Sequence, residues 1–120
     1  MLQAKLLEDA RFAHDKRQIY AILTPEMLTE AGLSPADTEG VIDTLKSVDG
    51  VDIACLIQPE PGRVRFSLRS QNPDIPVNGI ARQIGGGGHR MAAGARAEGL
   101  TVREAEKKLV ELTQRVLIDD

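Results

Sequence analysis

Hydrophobic and polar positions along the chain switch between a period of two and a period of about 3.6 residues, which predicts alternating strands and helices. The first predicted strand covers residues 18–24 (QIYAILT) and ends before Pro25. A continuous apolar run predicts a buried strand over residues 52–58. Turn residues 59–62 (PEPG) join it to a strand over residues 63–70, so these two strands are predicted to form a hairpin.

Three segments have the spacing of amphipathic helices. The first begins at Ser34-Pro35, an N-cap followed by proline, and stops at Gly50. The second covers residues 77–84, and a small-residue strand is predicted after it over residues 92–98. The third begins at a capping box formed by Thr101 and Glu104, with Leu100 placed to contact Ala105. Its apolar stripe is predicted to cover one face of the sheet: Val102, Ala105, Leu109, Leu112 and Val116.

These elements predict an α/β (α+β) fold, a mixed sheet of about four or five strands flanked by helices. Residues 18–120 are assigned to this single domain, and the charged residues 1–17 to a segment connecting it with an upstream domain. The chain of 120 residues, 42% apolar and 28% charged, is long enough for a real core. It contains no internal repeat.

The strand over residues 63–70 separates two kinds of side chain. Its even positions are apolar (Val64, Phe66, Leu68) and face the predicted core, whereas its odd positions are polar (Arg63, Arg65, Ser67, Arg69). Arg69 and Ser70 close this strand at its carboxyl end. One face of the strand is therefore predicted to present arginines.

Residues 85–88 are four consecutive glycines, followed by His89 and Arg90. Such a run forgoes roughly 0.4–1 kcal/mol of stability per position relative to alanine. Without Cβ atoms the backbone can adopt positive φ and direct successive N–H groups at one phosphate. Gly85 also fits a helix stop, and a flexible linker is the other interpretation, although the flanking sequence is apolar and not serine-rich. We expect a phosphate-binding loop here.

Charge is distributed unevenly along the chain. The formal net charge is −3, which argues against general attraction to long polyanions. Residues 63–97, in contrast, contain six arginines, no lysine and one acidic residue, Asp74. Arginine favours planar, two-pronged recognition of phosphate. The alternative for any single arginine is a solvated surface position.

No apolar run approaches the ~18–20 residues of a membrane span, and the N-terminus lacks a signal-peptide pattern. A cytoplasmic location and no membrane partner are therefore expected. The single Cys55 lies in an apolar run, which predicts a buried, inert thiol.

Three segments together resemble a known family. They are residues 67–70 (SLRS), 77–81 (VNGIA) and 85–94, which combine GGGGH with AAG; residues 38–40 (TEG) are also similar. Residues 18–118 thus resemble the DHH-associated C-terminal domain of DHH-family phosphoesterases, in particular the branch of nanoRNases and 3′-phosphoadenosine 5′-phosphate phosphatases.

The resemblance implies a domain that grips a nucleotide or short oligonucleotide while a separate N-terminal domain performs hydrolysis with manganese. By motif position it assigns the substrate contacts to Arg69, Ser70, Gly86, Gly87, Gly88 and His89. The partners implied are that upstream catalytic domain and the short oligonucleotide or nucleotide itself.

The chain departs from the family pattern because it contains no Asp-His-His motif. Its two histidines are His14, expected to be an exposed residue of the connecting segment, and His89. We therefore assign no metal ligand and no catalytic residue here, and expect the isolated chain to be inactive.

Other functions remain open at this stage. A related domain of alanyl-tRNA synthetases suggests a tRNA-binding module, although that role should need a broader basic surface. A single-strand DNA exonuclease would need stacking aromatics, of which the chain has three. A purely structural or dimerising domain is the third alternative. The sequence defines neither the substrate nor the oligomeric state.

Overall fold

A six-stranded mixed sheet organises the molecule. The computed structural model describes residues 2–118. In chain order the strands are β1 (Arg11–Ala13), β2 (Gln18–Ile22), β3 (Ile53–Glu60), β4 (Arg63–Ser70), β5 (Gly87–Gly88) and β6 (Ala92–Glu98). The helices are α1 (Leu2–Asp9), α2 (Pro25–Glu30), α3 (Thr38–Lys46), α4 (Asn78–Ile84) and α5 (Val102–Ile118), with a 3₁₀ turn at Pro35–Asp37.

The strands lie in the order β1-β2-β3-β4-β6-β5. Only β2 and β3 are parallel, because α2 and α3 form the crossover between them; the other neighbours are antiparallel. The mixed sheet flanked by helices is confirmed. The sheet has six strands, close to the four or five expected from the sequence, and the edge strands β1 and β5 span only three and two residues.

Helices cover both faces of the sheet. In β3 the alternation of side chains sends Ile53 and Cys55 to one face and Ala54 and Leu56 to the other. The first face packs against α4 and α5, and the second against α1, α2 and α3. No helix in the described part of the chain is long and apolar enough to cross a membrane.

The predicted elements and the observed ones agree where the hydrophobic pattern is strong. The strand predicted over residues 63–70 is β4, and its hairpin with β3 is confirmed. The capping box is also confirmed: the backbone N–H of Glu104 donates to Thr101 Oγ1 at 3.1 Å, and Thr101 N–H donates to Glu104 Oε1 at 2.9 Å.

Residues 2–17, which the sequence assigned to a connection, pack against the domain. Leu6 of α1 is only 1% exposed and belongs to the core between α1, α3 and the sheet, and β1 pairs with β2. His14 was expected to be exposed, and this is wrong. It is half-buried, and its Nε2 donates to the carbonyl oxygen of Val110 in α5 at 3.0 Å. The link to an upstream domain stays a prediction.

Candidate anion-binding cleft

A cleft of about 470 Å³ opens where β4, β6 and β5 extend past α3. In β3, Ala54 and Leu56 face the core formed with α1, α2 and α3. Arg69 and Ser67 of β4 are their cross-strand partners, so the cleft lies on this same face of the sheet. Its walls combine the glycine run, Glu39 of α3 and three arginines. The lining residues are Glu39, Arg65, Phe66, Ser67, Arg69, Gly85–Gly88, Ala92–Ala95 and Arg96.

The floor of the cleft is built from cross-strand pairs of β4 and β6. Ser67 pairs with Gly94 at the centre, and Arg69 pairs with Ala92 at one end. At the other end two arginines, Arg65 and Arg96, stand directly opposite each other. Small residues therefore leave room in the middle, and cations lie at both ends. Arg65 and Arg69 are four positions apart along β4, or about 13 Å between their Cα atoms.

The fold itself requires three of the four glycines in the run. Gly85 caps α4 with φ of 124°. A Cβ on Gly86 would lie 2.1 Å from the carbonyl oxygen of Gly94. Gly88 has φ of 144°, and a Cβ there would lie 2.7 Å from the Cα of Ala93. Gly87, in contrast, would meet no atom within 4 Å, and its φ is not in the left-handed region. The fold alone therefore does not explain Gly87.

The glycine run forms an edge strand and not the nest of successive free N–H groups that the sequence suggested. The N–H of Gly86 donates to Ala81 O at 2.8 Å, and the N–H of His89 donates to Ala92 O at 2.8 Å. Because His89 and Ala92 exchange both backbone bonds, the next pair, Gly88 and Ala93, is not hydrogen-bonded. The Gly88 N–H therefore points away from β6, toward the open edge of the sheet.

Arg69 is held by a carboxylate. Its side chain is only 16% exposed, and its Nη1 donates to the carbonyl oxygen of Leu68 at 2.9 Å. Its Nη2 donates to both carboxylate oxygens of Glu39, at 2.6 and 2.7 Å. Glu39 lies in the first turn of α3 and is 65% exposed. The sequence did not predict this contact, because no periodicity relates two residues thirty positions apart.

The structure places the other two predicted site residues outside the lining of the cleft. Ser70 is 4% exposed, and its hydroxyl donates to the carbonyl oxygen of Ile75 at 2.6 Å, which fixes the loop between β4 and α4. His89 is exposed, at the end of the β5–β6 hairpin. This hairpin is tied to β4, since Ser70 N–H donates to Met91 O at 2.9 Å.

The cleft thus brings together Arg69, Gly86, Gly87 and Gly88, with Ser70 and His89 at the same end of the sheet. Their role in binding stays a prediction. Sequence reasoning missed three charged lining residues as site candidates: Glu39, Arg65 and Arg96. Arg65 could have been found, because the alternation in β4 already places it on the face of Arg69.

Among residues 2–118, no group of three or more His, Cys, Asp or Glu side chains is close enough to hold a metal ion. Cys55 is buried, as predicted, and desolvation raises the pKa of its thiol to about 12.

Comparison with known proteins identifies the family. The model of the DHHA1 domain matches residues 15–118, so the chain belongs to the DHHA1 domain family, the accessory domain of DHH-family phosphoesterases. It is 27% identical over 96 residues to the bifunctional oligoribonuclease and PAP phosphatase NrnA of Thermus thermophilus, a match that covers 80% of this chain and 29% of the relative.

Two further proteins are similar to this chain, one by sequence and one by fold. The cyclic-di-AMP phosphodiesterase PdeA of Listeria monocytogenes is 32% identical over 109 residues, covering 90% of this chain and 16% of that protein. A crystal structure of an exopolyphosphatase-related protein from Bacteroides fragilis superimposes with a TM-score of 0.79 at 24% identity, covering 99% of this chain and 35% of that one. The chain thus spans about a third or less of each of these relatives.

Proposed function

We propose that this chain is the substrate-binding domain of a DHH-family phosphoesterase and that its cleft holds a phosphate group of a nucleotide or short oligonucleotide. The observation that carries this proposal is that Arg69 lines the cleft together with Gly87, a glycine that the fold does not explain. The Arg69 guanidinium already binds a carboxylate through Nη2. A phosphate oxygen offers the same acceptor chemistry with more charge.

The chain's own residues would bind and orient the substrate. Arg69 would hold a phosphate oxygen once the Glu39 carboxylate moves aside, and the Gly88 N–H at the sheet edge is a further donor. Gly87 would let the sugar-phosphate backbone approach closely. His89, at the end of the hairpin, would contact the substrate from the rim. Hydrolysis would take place in an upstream domain, where a manganese site would supply Lewis-acid chemistry.

A binding experiment with the isolated chain tests this proposal. A 5′-phosphorylated diadenylate, titrated calorimetrically, should bind the wild type, and Arg69→Gln should weaken binding roughly tenfold or more, the value of a charged hydrogen bond. Arg103→Gln is the matched control, because it removes the same charge from an exposed position on α5. An unchanged affinity in Arg69→Gln would contradict the proposal. Tighter binding of a tRNA than of the dinucleotide would favour the tRNA-binding alternative.

An activity assay tests whether catalysis lies in a domain other than this one. Highly purified chain, incubated with manganese and a short oligoribonucleotide, should leave the substrate intact, because the chain supplies binding residues without the ligands for a metal site. Turnover that persists through purification would overturn the assignment of catalysis to another domain.

His89 supplies a test at the rim of the cleft. An imidazole N–H can donate a hydrogen bond to a phosphate oxygen, so His89→Ala should weaken binding of the dinucleotide about fivefold. Because the side chain is exposed, His89→Ala should not change the melting temperature. If His89→Ala binds the dinucleotide as tightly as the wild type does, His89 does not contact the ligand.

A further inference from the structure

A second cavity, of about 450 Å³, lies near the other edge of the sheet, at the end of β2. Its lining includes Leu6 and Asp9 of α1, Tyr20 and Ile22 of β2, and Met27 of α2. None of the described residues lines both this cavity and the cleft. Small-molecule sites have volumes of about 300–1,000 Å³ and mostly apolar walls with a few polar groups, and the cavity fits both criteria. We call it the edge cavity.

Backbone groups of β2 are left unpaired beside the edge cavity, because β1 is short and its pairing with β2 ends at Tyr20. The N–H of Leu23 donates to Ile57 O of β3 at 2.9 Å. Successive residues of a strand direct their backbone groups to opposite sides, and Thr24 continues the extended conformation with φ of −86° and ψ of 158°. The N–H and C=O of Ile22 and the N–H of Thr24 therefore point away from β3. Within residues 2–118 none of these three groups has a hydrogen-bond partner.

The free edge formed by these three groups is closed at both ends. Toward the start of β2 the edge is paired with β1, and after Thr24 the chain enters α2 at Pro25, which has no N–H. A peptide that adds a strand to a sheet pairs with a run of free residues along the edge. Here one complete residue, Ile22, and one further N–H are free. The edge therefore fits a compact planar ring and not an extended peptide.

The groups along this edge follow the order donor, acceptor, donor. Adenine carries the complementary order, since its exocyclic amino group donates between the two acceptors N1 and N7, whereas guanine has an acceptor oxygen in place of that amino group. We infer that the edge cavity binds the adenine ring of a nucleoside. The amino group donates to Ile22 O, a ring nitrogen accepts from the Thr24 N–H, and the apolar walls surround the ring. This site is separate from the cleft and requires no phosphate on the ligand.

Adenosine, which has no phosphate, tests this site directly. In NMR spectra of the backbone amides, adenosine should shift the signals of Ile22 and Thr24, and the titration of these shifts gives its affinity. Purine riboside lacks only the exocyclic amino group, so it should bind about fivefold more weakly, the value of one neutral hydrogen bond. Equal affinity for the two nucleosides would overturn the assignment to adenine.

Substitutions at Thr24 isolate the backbone donor. Thr24→Pro removes the N–H, and the φ of Thr24 is close to the value that proline adopts. Thr24→Ala is the matched control, because both variants lose the hydroxyl that accepts from the Met27 N–H but alanine keeps its own N–H. Thr24→Pro should bind adenosine about fivefold more weakly than Thr24→Ala does. Equal affinity of these two variants would overturn the edge site.

A variant that fills the edge cavity provides a second test, which does not depend on the folding of Thr24→Pro. Met27→Trp should abolish the adenosine-induced shifts, whereas Met91→Trp, at an exposed position outside the cavity, should leave them unchanged. Binding of adenosine by Met27→Trp as tightly as by the wild type would overturn the edge site. Shifts confined to Gly86–Gly88, or no shifts at all, would also overturn it and leave the proposed function, which Arg69→Gln and the phosphorylated diadenylate test, standing.

Discussion

At the scale of single residues, the fold requires glycine at three positions of the glycine run but not at Gly87. Gly88 combines a φ of 144° with close approach to Ala93, whereas Gly87 has open space where a Cβ would stand. Gly87 is not among the glycines with positive φ. A contact with ligand remains the reason that we propose for a glycine at this position.

Valine substitutions distinguish these two glycines. Gly88→Val should destabilise the chain by about 1–3 kcal/mol, the cost of a strained backbone. Gly87→Val should change stability by less than about 1 kcal/mol, because a β-branched residue fits an edge strand. It should nevertheless weaken dinucleotide binding roughly tenfold or more, comparable to loss of a charged hydrogen bond. Chemical denaturation and calorimetry measure the two effects, and undiminished binding by Gly87→Val would place the ligand elsewhere.

Glu39 is the residue that competes with a phosphate for Arg69. Because Glu39 is 65% exposed, its ion pair with Arg69 is screened by water, and such pairs contribute about 0.2–1 kcal/mol. Glu39→Gln should therefore tighten binding of the 5′-phosphorylated diadenylate by up to about fivefold. Glu111→Gln is the control, because it removes the same charge from an exposed position on α5. Weaker binding by Glu39→Gln would show that the carboxylate itself accepts a hydrogen bond from the ligand.

At the scale of secondary structure, the capping box of α5 makes the stability of the helix depend on pH. Hydrogen bonds from the backbone and side chain of Thr101 lower the pKa of Glu104. A carboxyl group whose pKa is lower in the folded state stabilises the fold above its unfolded pKa, near 4.3, and loses that contribution as pH falls through the lowered value.

Two substitutions at this helix terminus check the direction in which stability changes with pH. Thr101→Ala should cost about 1 kcal/mol of unfolding free energy at neutral pH, the usual value of an N-cap. Glu104→Gln should also destabilise the chain at pH 7, and its difference from the wild type should shrink as pH falls below about 4. Denaturation at several pH values measures this, with Glu111→Gln as a control in the middle of the same helix. A difference that persists at low pH would mean that the charge of Glu104 is not the cause.

At the scale of the whole molecule, α1 belongs to the folded domain although the sequence placed it in a connection. Leu6→Ala should destabilise the chain by about 2–5 kcal/mol, since a buried leucine leaves a cavity among the residues of α3 and the sheet. Leu7→Ala is the matched control, because Leu7 is 40% exposed, and should be near neutral. Equal, small effects of both substitutions would show that α1 contributes little and favour the interpretation as a connecting segment.

The hydrophobic pattern by itself determined the interior elements. β3, β4, α3, α4, β6 and α5 follow from periodicity and capping signals, because burial of one face requires apolar side chains at regular intervals along the chain. The short elements β1, β5 and α2 escaped prediction, since two or three residues carry no measurable period and four of the six residues of α2 are exposed.

Part of the cleft lining was also visible in the sequence, through Arg69 and the glycine run with its resemblance to a family. The tertiary structure alone decided which side chains meet. It turned Gly87–Gly88 into an edge strand, placed Glu39 against Arg69, and set Arg65 opposite Arg96. The physical reason is that strand register and the crossover through α3 bring together residues some thirty positions apart, and no local pattern of polar and apolar residues encodes such a contact.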